Sequence, residues 1–508
     1  MKKTQSLYLS LVLCFLAMEF GSILQFLENK NLFVTGVTGF LSKIFVEKIL
    51  RVQPNVKKLY LLLRASDATS ANHRFHNEVI RKDLYRVAKE KLGANFDAII
   101  SKKINIISGD ICYEDLGIKD SSLREEMKNE LDIVLNFAAT TRFDERYDIA
   151  FGTNTIGAKN VMCFAKLCLK LKLFVHISTA YVCGESSGLI PENPYRLGET
   201  LNGVSGLDIE EEKKLIDTKL DELKAERATE TEIKHAMKDM GIKRARRYGW
   251  PNTYVFTKAM GEMLVGHLKE NLPLVIIRPS MITSTYKEPF PGWIEGARTI
   301  DALTLSYGKG RLTFFVAGPA LIIDVIPGDM VVNAIIVAMV AHANQPCDEV
   351  IYHVGSSVRN PIRCSSFKDY LIRHFTKKPW INQNGKPVKV VSKPTMLNCV
   401  SNFQRFIRIR YLPLLKGLKL ANIISCQSFQ GTYSNLSRRI KLVKRLVELY
   451  QPYLFFHGIF DDFNLDKLRT AAEENGIETD IFLMDPKLID WDDYFLNTHI
   501  PGMVKYVF

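Results

Sequence analysis

None of the nine cysteines stands in a C-x-x-C spacing, and Cys163 and Cys168 are the closest pair. Metal-ligand spacing and a dense disulfide framework are both unsupported, so buried free thiols in a reducing compartment are the expected state. The ten histidines contain no H-E-x-x-H, and His73 with His76 falls in a charged helical stretch where solvated side chains are expected. No nucleic-acid fold signature accompanies the formal net charge of +13, and basic residues are scattered through both halves of the chain. Phosphate-bearing small molecules and an anionic bilayer surface are negative partners that satisfy the same charge. Long apolar runs are missing too. The run at 6–17, behind Lys2 and Lys3, has the outline of a signal sequence without a small-x-small cleavage site. It is shorter than the roughly 20 residues that span a bilayer.

What is present begins with a glycine turn. The apolar run Asn31-Leu32-Phe33-Val34-Thr35 leads into Gly36-Val37-Thr38-Gly39-Phe40-Leu41-Ser42-Lys43 and then into a helical pattern from Ile44 to Arg51. A strand, a glycine turn and a helix N-terminus leave backbone N–H groups aimed at a pyrophosphate. The spacing is G-x-x-G, and Ser42 stands where the dinucleotide fingerprint G-x-G-x-x-G has its third glycine. The next strand, Lys58 to Leu63, ends at Arg64, where an Arg accommodates a ribose 2′-phosphate and an acidic residue would hold a 2′-hydroxyl. Four further β-rich runs stop at polar residues: Ile104 to Ile107 before Ser108-Gly109-Asp110-Ile111, Ile133 to Leu135 before Asn136-Phe137-Ala138-Ala139, Phe174 to Ile177 before Ser178-Thr179-Ala180, and Leu274 to Ile277 before Arg278-Pro279-Ser280. Helical stretches separate them, the pattern of a parallel sheet whose ligands collect at the strand ends.

Tyr254 and Lys258, in Pro-Asn-Thr-Tyr-Val-Phe-Thr-Lys, lie one helical turn apart on one face. A neighbouring ammonium favours phenolate, so the pair predicts a tyrosine that trades its proton near neutral pH rather than near its reference value of about 10. Reversible carbonyl reduction needs such a group.

The ordered motifs Thr-Gly-x-x-Gly-Phe-Leu, Leu-Leu-Leu-Arg, Gly-Asp, Asn-x-Ala-Ala, Ser-Thr-Ala-Tyr-Val and Tyr-x-x-x-Lys together resemble the extended short-chain dehydrogenase/reductase superfamily. Phe143-Asp144-Glu145-Arg146-Tyr147, Trp250-Pro251-Asn252, Pro291-Gly292-Trp293-Ile294-Glu295-Gly296 and Asp324-Val325-Ile326-Pro327 narrow the resemblance to the plant branch of alcohol-forming fatty acyl-CoA reductases, from about Met18 to Phe508. The resemblance implies an α/β fold, a Rossmann-type doubly wound parallel sheet with a mainly helical C-terminal domain. It implies NADPH as cofactor and long-chain acyl-CoA as substrate, reduced by two hydride transfers to a primary alcohol. In that scheme Tyr254 is the proton donor, Lys258 its tuner and ribose ligand, and Thr179 a hydrogen-bond partner of the carbonyl oxygen, with Ser178 the alternative. Gly36, Thr38, Gly39, Phe40 and Leu41 line the pyrophosphate, Arg64 the 2′-phosphate, Asp110 and Ile111 the adenine, and Ala138 the nicotinamide side, with Thr35 also in the cofactor set. Asn136 joins the cofactor set, although it and Asn154 equally suit asparagines that fix backbone turns. An epimerase or dehydratase of a nucleotide sugar, or an inactive NADP-binding module, are the alternatives on this fold.

At 508 residues and 47% hydrophobic content the chain supports two cores. The expected division is an extension at 1–20, a reductase domain at 21–343 and a C-terminal domain at 365–508. The charged helical insertion at 207–250 reads as solvated helix faces, with a basic end, Lys243 to Arg247, that could meet the CoA phosphates. Membrane contact has two candidate sources. One is the run at 6–17, an anchor or an extension ahead of an alternative start at Met18; the other is the basic, aromatic-rich stretch 396–426. The expected location is intracellular and membrane-associated, at the endoplasmic reticulum or in a plastid.

Overall fold

The computed structural model describes residues 22–508 apart from 344–348, 425–426, 477 and 479, so the apolar run at 6–17 lies outside the described residues. Seven parallel strands form the central sheet: β1 (Asn31–Thr35), β2 (Lys58–Leu63), β3 (Ile104–Ser108), β4 (Ile133–Asn136), β5 (Leu173–Ile177), β6 (Leu274–Pro279) and β7 (Glu349–Val354). Their spatial order is β7-β6-β5-β4-β1-β2-β3. Every residue of β1, β4, β5 and β6 is buried, which is why these strands read as continuous apolar runs without alternation. Strand order reverses between β1 and β4. A crevice opens there at the C-terminal strand ends, the usual ligand position in a doubly wound sheet.

Six of these strands fall on the runs marked in the sequence. The seventh lies beyond the expected domain limit at 343: β7 pairs with β6 from Glu349↔Leu274 to Val354↔Pro279, so the reductase sheet continues at least to Val354.

The helices that matter for the site are α1 (Phe40–Val52), α2 (Ile209–Ala225), α3 (Glu230–Arg247), α4 (Thr253–Leu268), α5 (Gly328–His342), α6 (Val400–Arg410), α7 (Leu412–Ile424) and α8 (Gln430–Leu454). Helix α5 is buried along its whole length and packs against α1 so closely that a Cβ at Gly328 would lie 2.7 Å from the Phe40 ring. Helices α2 and α3 form the charged insertion. Arg244 on α3 pairs with the buried Glu212 on α2 and donates to the Tyr248 hydroxyl, so that part of the basic end is structural.

The C-terminal part is helical, as expected, but it is woven into the reductase part. Gly458–Phe460 pairs in parallel with Gly188–Ile190, and the buried Tyr494 hydroxyl donates to Ser284 O at 2.7 Å. A separate small core around Phe314, Leu397, Phe403, Ile407, Ile440 and Val447 holds α6 and α8 against the strand pair Phe314–Val316 and Thr395–Leu397.

Candidate active site

A cavity of about 1120 Å³ opens at the strand ends. The turn after β1 forms one wall. Gly36 has φ +68°, and a Cβ there would sit 2.7 Å from the backbone of Ala138 at the end of β4. Only glycine permits both that conformation and that approach. Gly39 is the N-cap of α1 and supplies no side-chain cap, so the first N–H groups of α1 stay free to face an anion. Ser42 explains the departure from the glycine fingerprint, because its buried hydroxyl donates to Gly36 O at 2.6 Å and ties the turn from below.

Gly36, Thr38, Gly39, Phe40, Leu41, Arg64, Asp110, Ile111 and Ala138 all line this cavity, together with Thr179, Tyr254 and Lys258. Thr35 and Asn136 do not. They lie buried behind the wall, joined by a 2.7 Å hydrogen bond, and Thr35 Oγ1 accepts from Ala138 N at 3.2 Å. Their effect on the pocket passes through the position of Ala138. Asn154 fixes a turn, accepting from Thr140 N at 2.9 Å and donating to Thr257 Oγ1 at 2.9 Å. Lys243 to Arg247 are not among the cavity residues.

Helix α4 begins where Asn252 Oδ1 accepts from Val255 N, while Asn252 Nδ2 donates to the Tyr453 hydroxyl at 2.8 Å. Trp250, fully buried, donates its indole N–H to Val182 O at 2.8 Å. The Trp-Pro-Asn sequence thereby fixes the start of the helix and the height at which Tyr254 enters the cavity. Tyr254, Lys258 and Glu262 follow at successive turns of one face, and Glu262 is neutralised by the buried Arg278 at 2.6 Å.

Tyr254 hydrogen-bonds to the Thr179 hydroxyl. Burial pushes its phenol up to about 12, against the opposing pull of Thr179 and the Arg298 charge. The expected depression by Lys258 is not what this geometry gives. The Lys258 ammonium donates to Ile177 O at 2.7 Å and lies 3.4 Å from His176 Nε2. A phenol this weak keeps its proton at neutral pH, which suits a donor to a developing oxyanion and not a resting base. Ser178 also lines the cavity, and its buried hydroxyl has no partner among the described residues.

Burial brings Lys258 down to about 8, with Glu262 opposing the shift. Because its folded value lies below the reference of about 10.4, the charged form prevails only below about 8 and is lost as pH rises through that value. Turnover that depends on the ammonium is therefore expected to decline through about pH 8. A kcat profile level well above that pH would remove the charge of Lys258 from the rate-limiting step.

Several residues around the pair were not assigned to the site from the sequence. His176, buried beneath Lys258, is held neutral by burial and by the Lys258 charge, and it accepts from Asn136 Nδ2 at 3.2 Å. Phe143 stacks on Tyr254 with ring centroids 6.0 Å apart, and Tyr453 packs on Phe143 at 4.8 Å. Tyr450, Tyr453 and Leu449, all on α8, complete the wall. His176 lay two residues before the marked Ser178, a usable signal; the α8 tyrosines, some two hundred residues from Tyr254, had none.

A buried tyrosine, a lysine one turn on and a glycine turn at a parallel-sheet switch point describe a nicotinamide-dependent reductase fold. Two family patterns, both described as male sterility protein, match residues 34–335 and 410–508. The alcohol-forming fatty acyl-CoA reductase of Simmondsia chinensis is 57% identical over 490 residues, 96% of this chain and 99% of that one. The chain belongs to the fatty acyl-CoA reductase family. Fatty acyl-CoA reductase 1 of Arabidopsis thaliana is 53% identical over 489 residues, with 96% and 99% covered. Among solved structures, the reductase domain of a non-ribosomal peptide synthetase from Mycobacterium tuberculosis aligns with a TM-score of 0.55 at 17% identity, covering 97% of this chain and 94% of that one. That likeness establishes the shared fold. The protein is an oxidoreductase, and the nucleotide-sugar and inactive alternatives fall away as its family.

Proposed function

We propose that the protein reduces long-chain fatty acyl-CoA to the primary alcohol with two equivalents of NADPH, releasing CoA. The observation that carries this reading is the meeting of Tyr254, Thr179 and Lys258 with the Gly36 to Gly39 turn in one cavity. Its volume, about 1120 Å³, exceeds the ~300–1,000 Å³ of ordinary small-ligand sites and leaves room for a dinucleotide beside a substrate. NADPH, when bound, supplies the hydride. The protein's own groups hold the oxygen: Tyr254 and Thr179 donate to the charge that develops on the thioester carbonyl, and Tyr254 delivers the proton. As the hemithioacetal collapses, its hydroxyl proton returns to the Tyr254 oxygen while the C–S bond breaks and CoA leaves as the thiolate; the carbonyl of the resulting aldehyde occupies the same pair of hydroxyls for the second reduction. Lys258 would hold a ribose hydroxyl by turning from Ile177 O.

The turn fits a pyrophosphate, since a Cβ at Gly36 would collide with Ala138 and the N-terminus of α1 carries no side-chain cap. Arg64 supports NADPH over NADH: it is exposed at the cavity edge and held by Arg74, whose guanidinium donates to Arg64 O at 2.6 Å. The carboxylate near this strand end, Asp67, is occupied as the N-cap of the helix Ala68–Phe75. A charge-assisted hydrogen bond is worth about 1.5–3 kcal/mol, so Arg64→Ala is expected to weaken NADPH binding roughly tenfold or more while leaving NADH nearly unchanged. Equal losses for both cofactors, measured by fluorescence titration, would make Arg64 structural.

Purified protein given NADPH and acyl-CoAs of several chain lengths tests the activity. Long-chain primary alcohol with free CoA is the expected product; accumulation of aldehyde alone would contradict the second reduction. No described helix is long and apolar enough to cross a membrane. We place the enzyme inside the cell on a membrane surface, at the endoplasmic reticulum with a plastid as alternative, because its acyl substrate partitions into bilayers and its reductant is intracellular.

A further inference from the structure

The positive charge of the chain is not evenly spread after all. Residues 370–447 contain sixteen Lys and Arg and not one Asp or Glu. That segment alone exceeds the whole chain's formal +13, so the remainder is acidic by three. Helices α6 and α7 and most of α8 lie within it.

Helix α7 is built inside out. Seven of its thirteen residues are Leu or Ile, yet its buried residue is Asn422. Leu420, Ile423 and Ile424 are 60%, 70% and 75% exposed. They share one helical face with Lys416 and Lys419, at spacings of three, four, seven and eight. Water gains nothing from solvating such a face, and exposed apolar surface of this kind marks an interaction site. Among the described residues, no Lys or Arg of α6 or α7 pairs with a carboxylate. The first basic residue of α8 that does is Arg445, 3.5 Å from Asp144.

From these observations we infer that α7, with the basic faces of α6 and α8, docks the enzyme in the interface of an anionic lipid bilayer. The helix lies in the membrane surface: at 1.5 Å per residue it is only about 20 Å long, with lysines whose stems lie along the apolar face while their ammonium groups reach the lipid phosphates. An acidic protein would answer the charge but leave the branched aliphatic side chains in water, so the bilayer is the occupant that satisfies both. Helix α8 connects the surface to the chemistry, since its far end carries Leu449, Tyr450 and Tyr453 into the cavity wall. The docked enzyme thus presents the α8 side of its cavity near the membrane. The surface rests on charge and burial alone; the reason for it, delivery of an acyl chain, rests on the reductase reading.

Flotation of the full chain with vesicles tests this, using phosphatidylcholine alone and phosphatidylcholine containing about 30% phosphatidylglycerol, a composition in the anionic range where each basic residue contributes measurably. Preferential binding to the anionic vesicles is expected. Ile423→Asp with Ile424→Asp should weaken it roughly tenfold or more, and so should Arg438→Glu with Lys441→Glu. Both double variants should reduce a short, freely dissolved acyl-CoA at the parent rate. Failure of the parent to bind, or binding unaltered in both variants, overturns the inference. Loss in the charge variant alone overturns it in favour of an acidic protein partner. Variants that lose activity in solution would show that α7 and α8 serve the active site rather than a separate surface. Vesicle binding that behaves as expected in a parent lacking reductase activity would uphold the docking surface and defeat the reductase reading.

Discussion

Tyr254→Phe is expected to bind NADPH as the parent does and to lose most of its turnover, by about 10² to 10⁴ in kcat, the usual contribution of a positioned general acid. The phenyl ring retains the stacking with Phe143, at 6.0 Å between centroids, so packing around the site should persist. What disappears is the hydroxyl bonded to Thr179. In the proposed scheme both carbonyl reductions use that hydroxyl, so alcohol formation and the separate reduction of added aldehyde should fall together. Steady-state rates with acyl-CoA and with aldehyde, beside a cofactor titration, give the comparison. Near-parent alcohol formation would exclude Tyr254 as the acid, and a deficit confined to the thioester would mean that the aldehyde is reduced elsewhere.

Gly36→Ala is expected to abolish cofactor binding at the level of a 100-fold loss or more, about 2.7 kcal/mol or greater. Two independent costs meet at this position. A side chain at φ +68° is strained, at about 1–2 kcal/mol for the left-handed region. The added Cβ also lies 2.7 Å from both N and Cα of Ala138, and neither is the movable end of a flexible side chain. Relief requires the ends of β1 and β4 to separate, which displaces the N-terminus of α1 from the position proposed to meet the pyrophosphate. Fluorescence titration and thermal melting would separate the two effects. Cofactor affinity equal to that of the parent would show that the turn does not hold the pyrophosphate.

The sheet was legible because its strands are buried on both faces, so runs such as Phe174 to Ile177 announce themselves by composition alone. Strand β7, Glu349 to Val354, is just as β-rich but lies past the expected limit at 343, and its place in the sheet is set by pairing with β6, which its own sequence does not encode. Tyr254, Lys258 and the glycine turn were legible as local spacings. The electrostatics of the site were not: proximity on a helix face placed Lys258 near Tyr254, but the lysine's hydrogen bond to Ile177 O depends on where β5 ends. Burial then outweighs the neighbouring charges and raises the phenol to about 12 where the pair alone suggested depression. Tyr453 and Tyr450 reach the cavity through tertiary packing of α8, a relation no local pattern encodes. The same limit applies to Arg244, whose basic run suggested a phosphate partner until the fold set it against Glu212.

The claim at the centre is that one cavity, with one tyrosine acid, performs two reductions at the same carbon. The most direct test supplies NADPH carrying deuterium at both C4 positions, with unlabelled long-chain acyl-CoA, and reads the product by mass spectrometry. Two deuterium atoms on C1 of the alcohol, with one CoA released for every two NADPH consumed, is the expected result. An alcohol carrying a single deuterium, or an aldehyde end product formed with one NADPH per CoA, would contradict it.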